Sequence, residues 1–323
     1  MDNRKLTVVM YHYVRDLKNS RYPEIKGCDV QLFKEQVLFL KKHYNPVTVE
    51  QVLDAYYNNG KLPDKAVLLT FDDAYADHFE YAFPILEHEH VQGAFYPPVK
   101  AVTEHTVLDV NKIHFILAST PAEKFGNLLN EIKLQLDKYR DEYQLETYDY
   151  YFNKLAVANR FDPKEVIFVK RLLQVELKEE LRKKITDDIF VKVVGIDEHA
   201  FSRELYMSID QIKCMVDCGM HIGSHGYDHY WLGNLSEEKM KLDIDKALGV
   251  MKPFIDSNAW AMNYPYGSYN QKVIDYIKSK GCVIGFTTNV DSATLNKDNR
   301  FTLQRFDCND FPPKSENWKN YAT

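Results

Sequence analysis

Three short stretches carry residue types that could do hydrolytic chemistry together. The apolar run Val67-Leu68-Leu69-Thr70-Phe71 ends in two adjacent acids, Asp72-Asp73. Neighbouring carboxylates beside apolar surroundings are unfavourable unless a positive charge lies next to them. A solvated turn, or an N-cap opening a helix over 75–89, is the plain alternative. The run His221-Ile222-Gly223-Ser224 leads into His225, and His229 follows four residues on. Two such histidines can meet one ion, although surface histidines are commoner. Joined with a carboxylate they make the three-ligand set that leaves a catalytic zinc an open position for water. Their joint occurrence at strand ends favours a metal site. The third stretch is Pro265-Tyr266-Gly267, after Asn263-Tyr264. Pro fixes φ and Gly permits a tight turn, so the Tyr266 backbone N–H is held in one direction. A fixed N–H near a metal suits a developing oxyanion, whereas an ordinary Pro-Gly turn is the alternative.

Chemistry from such distant segments needs a frame that brings them to one edge. Short apolar runs at 6–11, 66–71, 93–96, 219–223, 260–263, 282–287 and 301–306 read as strands. Helix-like stretches separate them, with capping-box patterns at Thr48/Gln51 and Ser208/Gln211 and an acidic start after Ser236. Strand–helix alternation favours a parallel α/β sheet, open or closed, whose carboxyl edge collects functional loops. The segment 105–203 differs. Phe125, Leu129, Ile132, Leu136 and Tyr139 recur at three- and four-residue steps, and Leu173, Leu177, Leu181, Ile185 and Ile189 recur every four. This reads as a helical insertion, serving as packing layer, lid or dimerisation arm. The expected organisation is a first barrel segment at 1–104, the insertion at 105–203, a second barrel segment at 204–312 and a polar tail at 313–323.

Composition sets the bounds. The 323 residues are 45% hydrophobic and 27% charged, which excludes intrinsic disorder. Lys plus Arg number 41 against 47 Asp plus Glu, a net charge of −6 that argues against a nucleic-acid binder. No apolar run reaches the ~18–20 residues of a membrane helix. The start Met1-Asp2-Asn3-Arg4-Lys5 precedes too short an apolar stretch for a signal peptide, so a cytoplasmic location is expected. Cys28, Cys214, Cys218, Cys282 and Cys308 are odd in number and lack framework spacing, and read as reduced thiols without a metal role.

Thr70-Phe71-Asp72-Asp73, Ser224-His225-Gly226-Tyr227-Asp228-His229 and Tyr264-Pro265-Tyr266-Gly267, in that order, resemble the polysaccharide deacetylases, the carbohydrate esterase family 4 proteins with a NodB homology domain. Val9-Met10-Tyr11-His12 and Gly285-Phe286-Thr287-Thr288 resemble the branch that deacetylates bacterial surface and biofilm glycans. The likeness spans about two-thirds of the chain in two blocks, leaving out the helical insertion. It implies a distorted (β/α)7-type barrel and N-deacetylation of an N-acetylated sugar, nucleotide-linked, lipid-linked or part of a nascent glycan. It implies Asp72 as catalytic base, and Asp73, His225 and His229 as ligands of one divalent ion, zinc first, with cobalt or nickel admissible. Tyr266 would lend its N–H to the oxyanion. Two departures stand out. Asn263 occupies the place where the family usually has Arg, and Arg305 is the late arginine that could substitute for it; a structural salt bridge is the equal alternative. The family's late Leu-x-His is absent, since no histidine follows His229. His12 is then the candidate acid, while His221 reads as structural. Substrate contacts are expected at Asn263, Pro265, Tyr266 and Gly267, with Tyr230 and Trp231 as sugar-stacking candidates. A homo-oligomer through the insertion is a further expectation. A zinc amidohydrolase of non-sugar amides or imides, a non-catalytic glycan-binding relative and a partner-recruiting scaffold are the alternatives.

Overall fold

The computed structural model describes residues 5–58, 60–159, 162–295 and 299–320. The chain forms two compact units. One gathers the chain up to Asp16, Gly27–Thr106 and the chain from Ser202 onward; the other gathers Leu17–Lys26 and Val107–Phe201.

Seven short strands organise the first unit: β1 Lys5–Tyr11, β2 Ala66–Asp72, β3 Gly93–Tyr96, β4 His221–Ile222, β5 Trp260–Asn263, β6 Cys282–Phe286 and β7 Phe306–Asp307. Neighbouring pairs among these seven run parallel, while Ala293–Thr294 adds an antiparallel partner to β1. β1 pairs with β2, β2 with β3, β3 with β4, and β5 with β6. Two seams are thin: β4 reaches β5 through the bridge Ser224–Met262, and β6 reaches the run before β7 through Phe286–Leu303. β7 then pairs with β1 at Val9–Phe306, so the ring closes. This is the distorted (β/α)7-type barrel. Two strands are shorter than the expected 219–223 and 301–306, because the chain there makes isolated bridges, Ser224 with Met262 and Leu303 with Phe286.

β2 is buried at every residue, as a parallel strand covered on both faces requires. Side-chain alternation divides it. Val67, Leu69 and Phe71 pack with Phe33, Val37 and Leu40 of the helix Val30–His43. Leu68 packs with Leu6, Val8, Ala94, Ala261 and Ile284 of the other strands, and Thr70 and Asp72 share its face. The barrel interior thus changes from apolar to polar towards the carboxyl ends. Both capping boxes, Thr48 with Gln51 and Ser208 with Gln211, form.

The second unit is helical, with long elements at Phe125–Tyr143 and Glu179–Val193. Leu173, Leu177, Leu181, Ile185 and Ile189 are all buried, but they do not share one helix. A π-helical turn over Leu172–Glu176 ends at Leu177, which is extended (φ −76°, ψ 156°). A strict four-residue repeat drifts around a 3.6-residue helix, and the break resets it. Leu17–Lys26 belongs to this unit, correcting the expected first barrel segment 1–104. The physical reason is packing: the Tyr22 ring meets Phe115 edge-on at 4.9 Å, and Lys26 pairs with the buried Asp162. The tail expected at 313–323 is not simply polar either. Trp318 lies parallel to Phe311 at 6.0 Å and edge-on to Tyr44 at 5.9 Å. Its last three residues, like the first four of the chain, lie outside the described residues. All five cysteines are free thiols. Among the described residues no helix is long and apolar enough to cross a membrane.

Candidate active site

At the carboxyl end of β2 the backbone turns sharply. Asp73 and Ala74 both adopt positive φ (74° and 55°), as do His229 (58°) and Tyr266 (57°). Non-glycine residues held there are strained by about 1–3 kcal/mol each, and such strain concentrates at functional sites. The turn sends the two acids to different partners.

Asp72 faces cations. Arg305, fully buried, donates from Nη1 to Asp72 Oδ1 and from Nη2 to Oδ2, each at 2.9 Å. The guanidinium is itself held by Thr287 O (2.8 Å) and Thr70 Oγ1 (3.1 Å). Asn263 donates its side-chain amide to the same Oδ1. Burial acts to raise the Asp72 carboxyl, and the Arg305 charge and hydrogen bonds more than offset it, holding the group down at about 2. Arg305 and Asn263 thus both donate to Asp72. The half-exposed His12 places Nε2 3.8 Å from Asp72 Oδ2.

Asp73 faces a hydroxyl and two imidazoles. Its Oδ2 accepts from the Tyr75 hydroxyl at 2.7 Å. Its Oδ1 has no hydrogen-bond partner and lies 3.5 Å from His225 Nε2 and 3.2 Å from His229 Nε2. The candidate ligand atoms of the three residues fall within 4.8 Å of one another. Tetrahedral coordination at ~2.0–2.1 Å separates ligand atoms by roughly 3.3 Å, so the Oδ1–Nε2 spacings fit one shared ion. His225 donates Nδ1–H to Asn263 O at 2.7 Å, which leaves Nε2 its lone pair. Burial pushes the His229 imidazole down, towards the neutral form a ligand needs. Burial works to raise Asp73, but His229 and His225 hold it well below the usual carboxylate range. A carboxylate with two imidazoles is the donor set of a catalytic zinc.

The turn after β5 completes the cluster. Gly267 donates to Tyr264 O at 2.8 Å and adopts φ +66°, where a Cβ would collide with Thr288. The Tyr266 ring packs edge-on to His229 at 4.6 Å and stacks on Trp231 at 4.4 Å with planes 4° apart. Tyr230, the other residue expected to contact a sugar, lies beside Trp231 in sequence. It packs with the Leu232, Met240 and Trp260 cluster, and Lys239 sits 4.3 Å over its ring. His221 lies at the opposite end of β4 and meets Glu50 at 3.1 Å.

Three residues here carried no motif signal. Tyr75 holds Asp73, and His78 donates Nε2–H to the His12 carbonyl at 2.7 Å. Asp243, buried in the helix Glu237–Met251, accepts the backbone N–H groups of Tyr227 and Asp228. Its clue was an acid within the apolar stripe Met240, Ile244, Ala247 and Met251.

Known proteins share parts of this design. A family profile described as polysaccharide deacetylase matches residues 182–284, a stretch that includes His225, His229 and the Pro265 turn but not Asp72-Asp73. A poly-beta-1,6-N-acetyl-D-glucosamine N-deacetylase of Escherichia coli K12 is 33% identical over 81 residues, 24% of this chain. The match spans only 12% of that relative's length. Among solved structures, a Streptococcus pyogenes deacetylase, PplD, in complex with acetate superposes with a TM-score of 0.60 at 16% identity, covering 99% of this chain and 98% of its own. IcaB from Ammonifex degensii gives 0.56 at 18% identity, covering 99% and 96%. At such identities these superpositions carry the fold.

Proposed function

We propose that the chain is a metal-dependent N-deacetylase of the polysaccharide deacetylase type, acting on an N-acetylated amino sugar in a bacterial surface glycan. The observation that carries this reading is the division of labour between Asp72 and Asp73. One carboxylate is matched by a buried guanidinium; the other turns an unsatisfied oxygen to two imidazole nitrogens.

Asp73, His225 and His229 would hold the cation. When bound, such an ion supplies Lewis acidity, lowering the pKa of water towards ~7 and polarising an amide carbonyl. The chain does the rest. Asp72 Oδ1 is filled by Asn263 and Arg305, while Oδ2 takes one bond from Arg305 and keeps a lone pair. Oδ2 is therefore the atom that accepts the nucleophile's proton. Arg305 fixes the carboxylate plane and resists protonation from bulk solvent. The Tyr266 N–H, set by its left-handed turn, is the donor for the oxyanion, a role whose loss typically costs about 2.7–4 kcal/mol. His12 is the group within reach that delivers a proton to the departing amine, and His78 pins its backbone. The Tyr266–Trp231 stack offers an apolar face to a sugar ring beside the ligands.

Acetate release measured on oligomers of N-acetylglucosamine and on small N-acetylated amides tests the activity and its substrate class. Asp72→Asn is expected to retain the ion and lose turnover by about 10²–10⁴-fold. An Asp72→Asn protein as active as wild type would overturn the assignment, and preference for the small amides would move the substrate away from sugars.

A further inference from the structure

The pentapeptide from His225 to His229 carries two of the three ligands yet belongs to no helix or strand. Its conformation is demanding, with Gly226 at φ +73° and His229 at φ 58°. Two elements grip it. On one side the first turn of the helix Val99–Thr103 donates Val99 N–H to Gly226 O (3.2 Å) and Lys100 N–H to Tyr227 O (3.0 Å). The Lys100 ammonium also pairs with Asp228. On the other side stands Asp243, 4% exposed, with Oδ2 accepting from Tyr227 N and Oδ1 from Asp228 N, each at 2.9 Å. Successive backbone N–H groups of a turn form a concavity for an anion, and here the anion is a side chain. The fit leaves no slack, since a Cβ on Gly226 would come within 2.8 Å of Asp243 Oδ2.

A buried carboxylate is expensive to place in an apolar helix stripe, and an apolar residue there would pack as well without that cost. The expense is understandable if the gain lies in the loop. We propose that Asp243 is a positioning residue for the metal centre: its carboxylate, seated between the Tyr227 and Asp228 N–H groups, sets the His225 and His229 imidazoles at ligand spacing before an ion arrives. This rests on the reading of Asp73, His225 and His229 as a metal site. Groups that orient ligands typically alter metal affinity by about 10–100-fold when removed.

The test is a Co(II) titration of metal-free full-length protein, followed by its visible d–d absorption, with thermal unfolding of the same metal-free samples alongside. Asp243→Asn keeps the shape and loses one acceptor. It should weaken Co(II) binding by about tenfold or more and change the absorption envelope, while the metal-free protein stays folded. Asp245→Asn, two residues along the same helix and half-exposed, should bind Co(II) as wild type does. If Asp243→Asn does not fold, Asp243→Glu is read by the same measures. Wild-type affinity and spectrum in the variant would overturn the inference, as would failure of both variants to fold, which would make Asp243 a general structural residue. No saturable Co(II) binding by wild type would instead remove the deacetylase reading on which the inference stands.

Discussion

The helical unit and the carboxyl end of the barrel both bury charge, and they treat it oppositely. In the helical unit the fully buried Lys112 pairs with Asp187 and with Glu198 at 2.9 Å, and both acids keep about a third of their surface in solvent. The buried Asp162 likewise has Lys26 and, at 2.8 Å, Lys170. Each sequestered charge there has an opposite charge in contact. At the barrel end Asp72 is matched by Arg305, but Asp73 has only a tyrosine hydroxyl and two imidazoles around it. A buried carboxylate without a counter-charge is unfavourable by several kcal/mol. Asp73 is the carboxylate whose unsatisfied oxygen faces two imidazoles close enough to share an ion with it.

The contrast breaks most readily at its matched pairs. Arg305→Met leaves Asp72 buried and uncompensated, and should lower unfolding stability in denaturant by about 3–5 kcal/mol. Lys112→Met removes a cation of comparable burial, yet its acids can turn to solvent, so a loss of no more than about 1 kcal/mol is expected. Equal losses in the two variants would erase the distinction.

Acid sensitivity sharpens it next. His78 is fully buried, and burial pushes its imidazole from 6.5 down to about 4. The unfolded chain then takes up the proton first. The stability His78 contributes is complete above pH 6.5, declines as pH falls and is lost through pH 4, by up to about 3 kcal/mol. His78→Gln keeps a donor and removes the titration, so its unfolding midpoint should vary less between pH 6.5 and 4. An unchanged pH profile would contradict the buried neutral imidazole.

The smallest effects concern backbone strain. Gln144 (φ 55°) ends the helix Phe125–Tyr143 in the left-handed region, and Ala74 (φ 55°) follows Asp73 in the same region. Glycine at either position should stabilise the fold by about 0.5–1 kcal/mol in thermal unfolding. Gln144→Gly should leave acetate release unchanged, whereas Ala74→Gly should reduce it by loosening Asp73. Identical activities in both would show that strain at residue 74 serves only the turn.

The barrel and the motifs at its carboxyl end were legible because their signals are local. Val67–Phe71 runs straight into Asp72-Asp73, and the strand ends at His225 and Asn263 announce themselves by composition. Arg305 was visible as a late arginine at a strand end, although its two bonds to Asp72 depend on ring closure between β7 and β1. What stayed hidden depends on contacts distant in sequence. Leu17–Lys26 joins the helices through Tyr22 against Phe115 and Phe201, which no local pattern foretells. The break at Leu177 is masked by an apolar repeat that continues across it. Asp243 acts on a loop fifteen residues before it, and only its place in an apolar stripe hinted at that.

The most direct measurement is a Zn(II) titration of metal-free wild-type protein by calorimetry, with Asp73→Asn, His229→Ala and Lys112→Met beside it. The account predicts one tightly held ion per chain in wild type and in Lys112→Met, and loss of that binding in the other two. No saturable binding in wild type, or equal binding in all four, would contradict it.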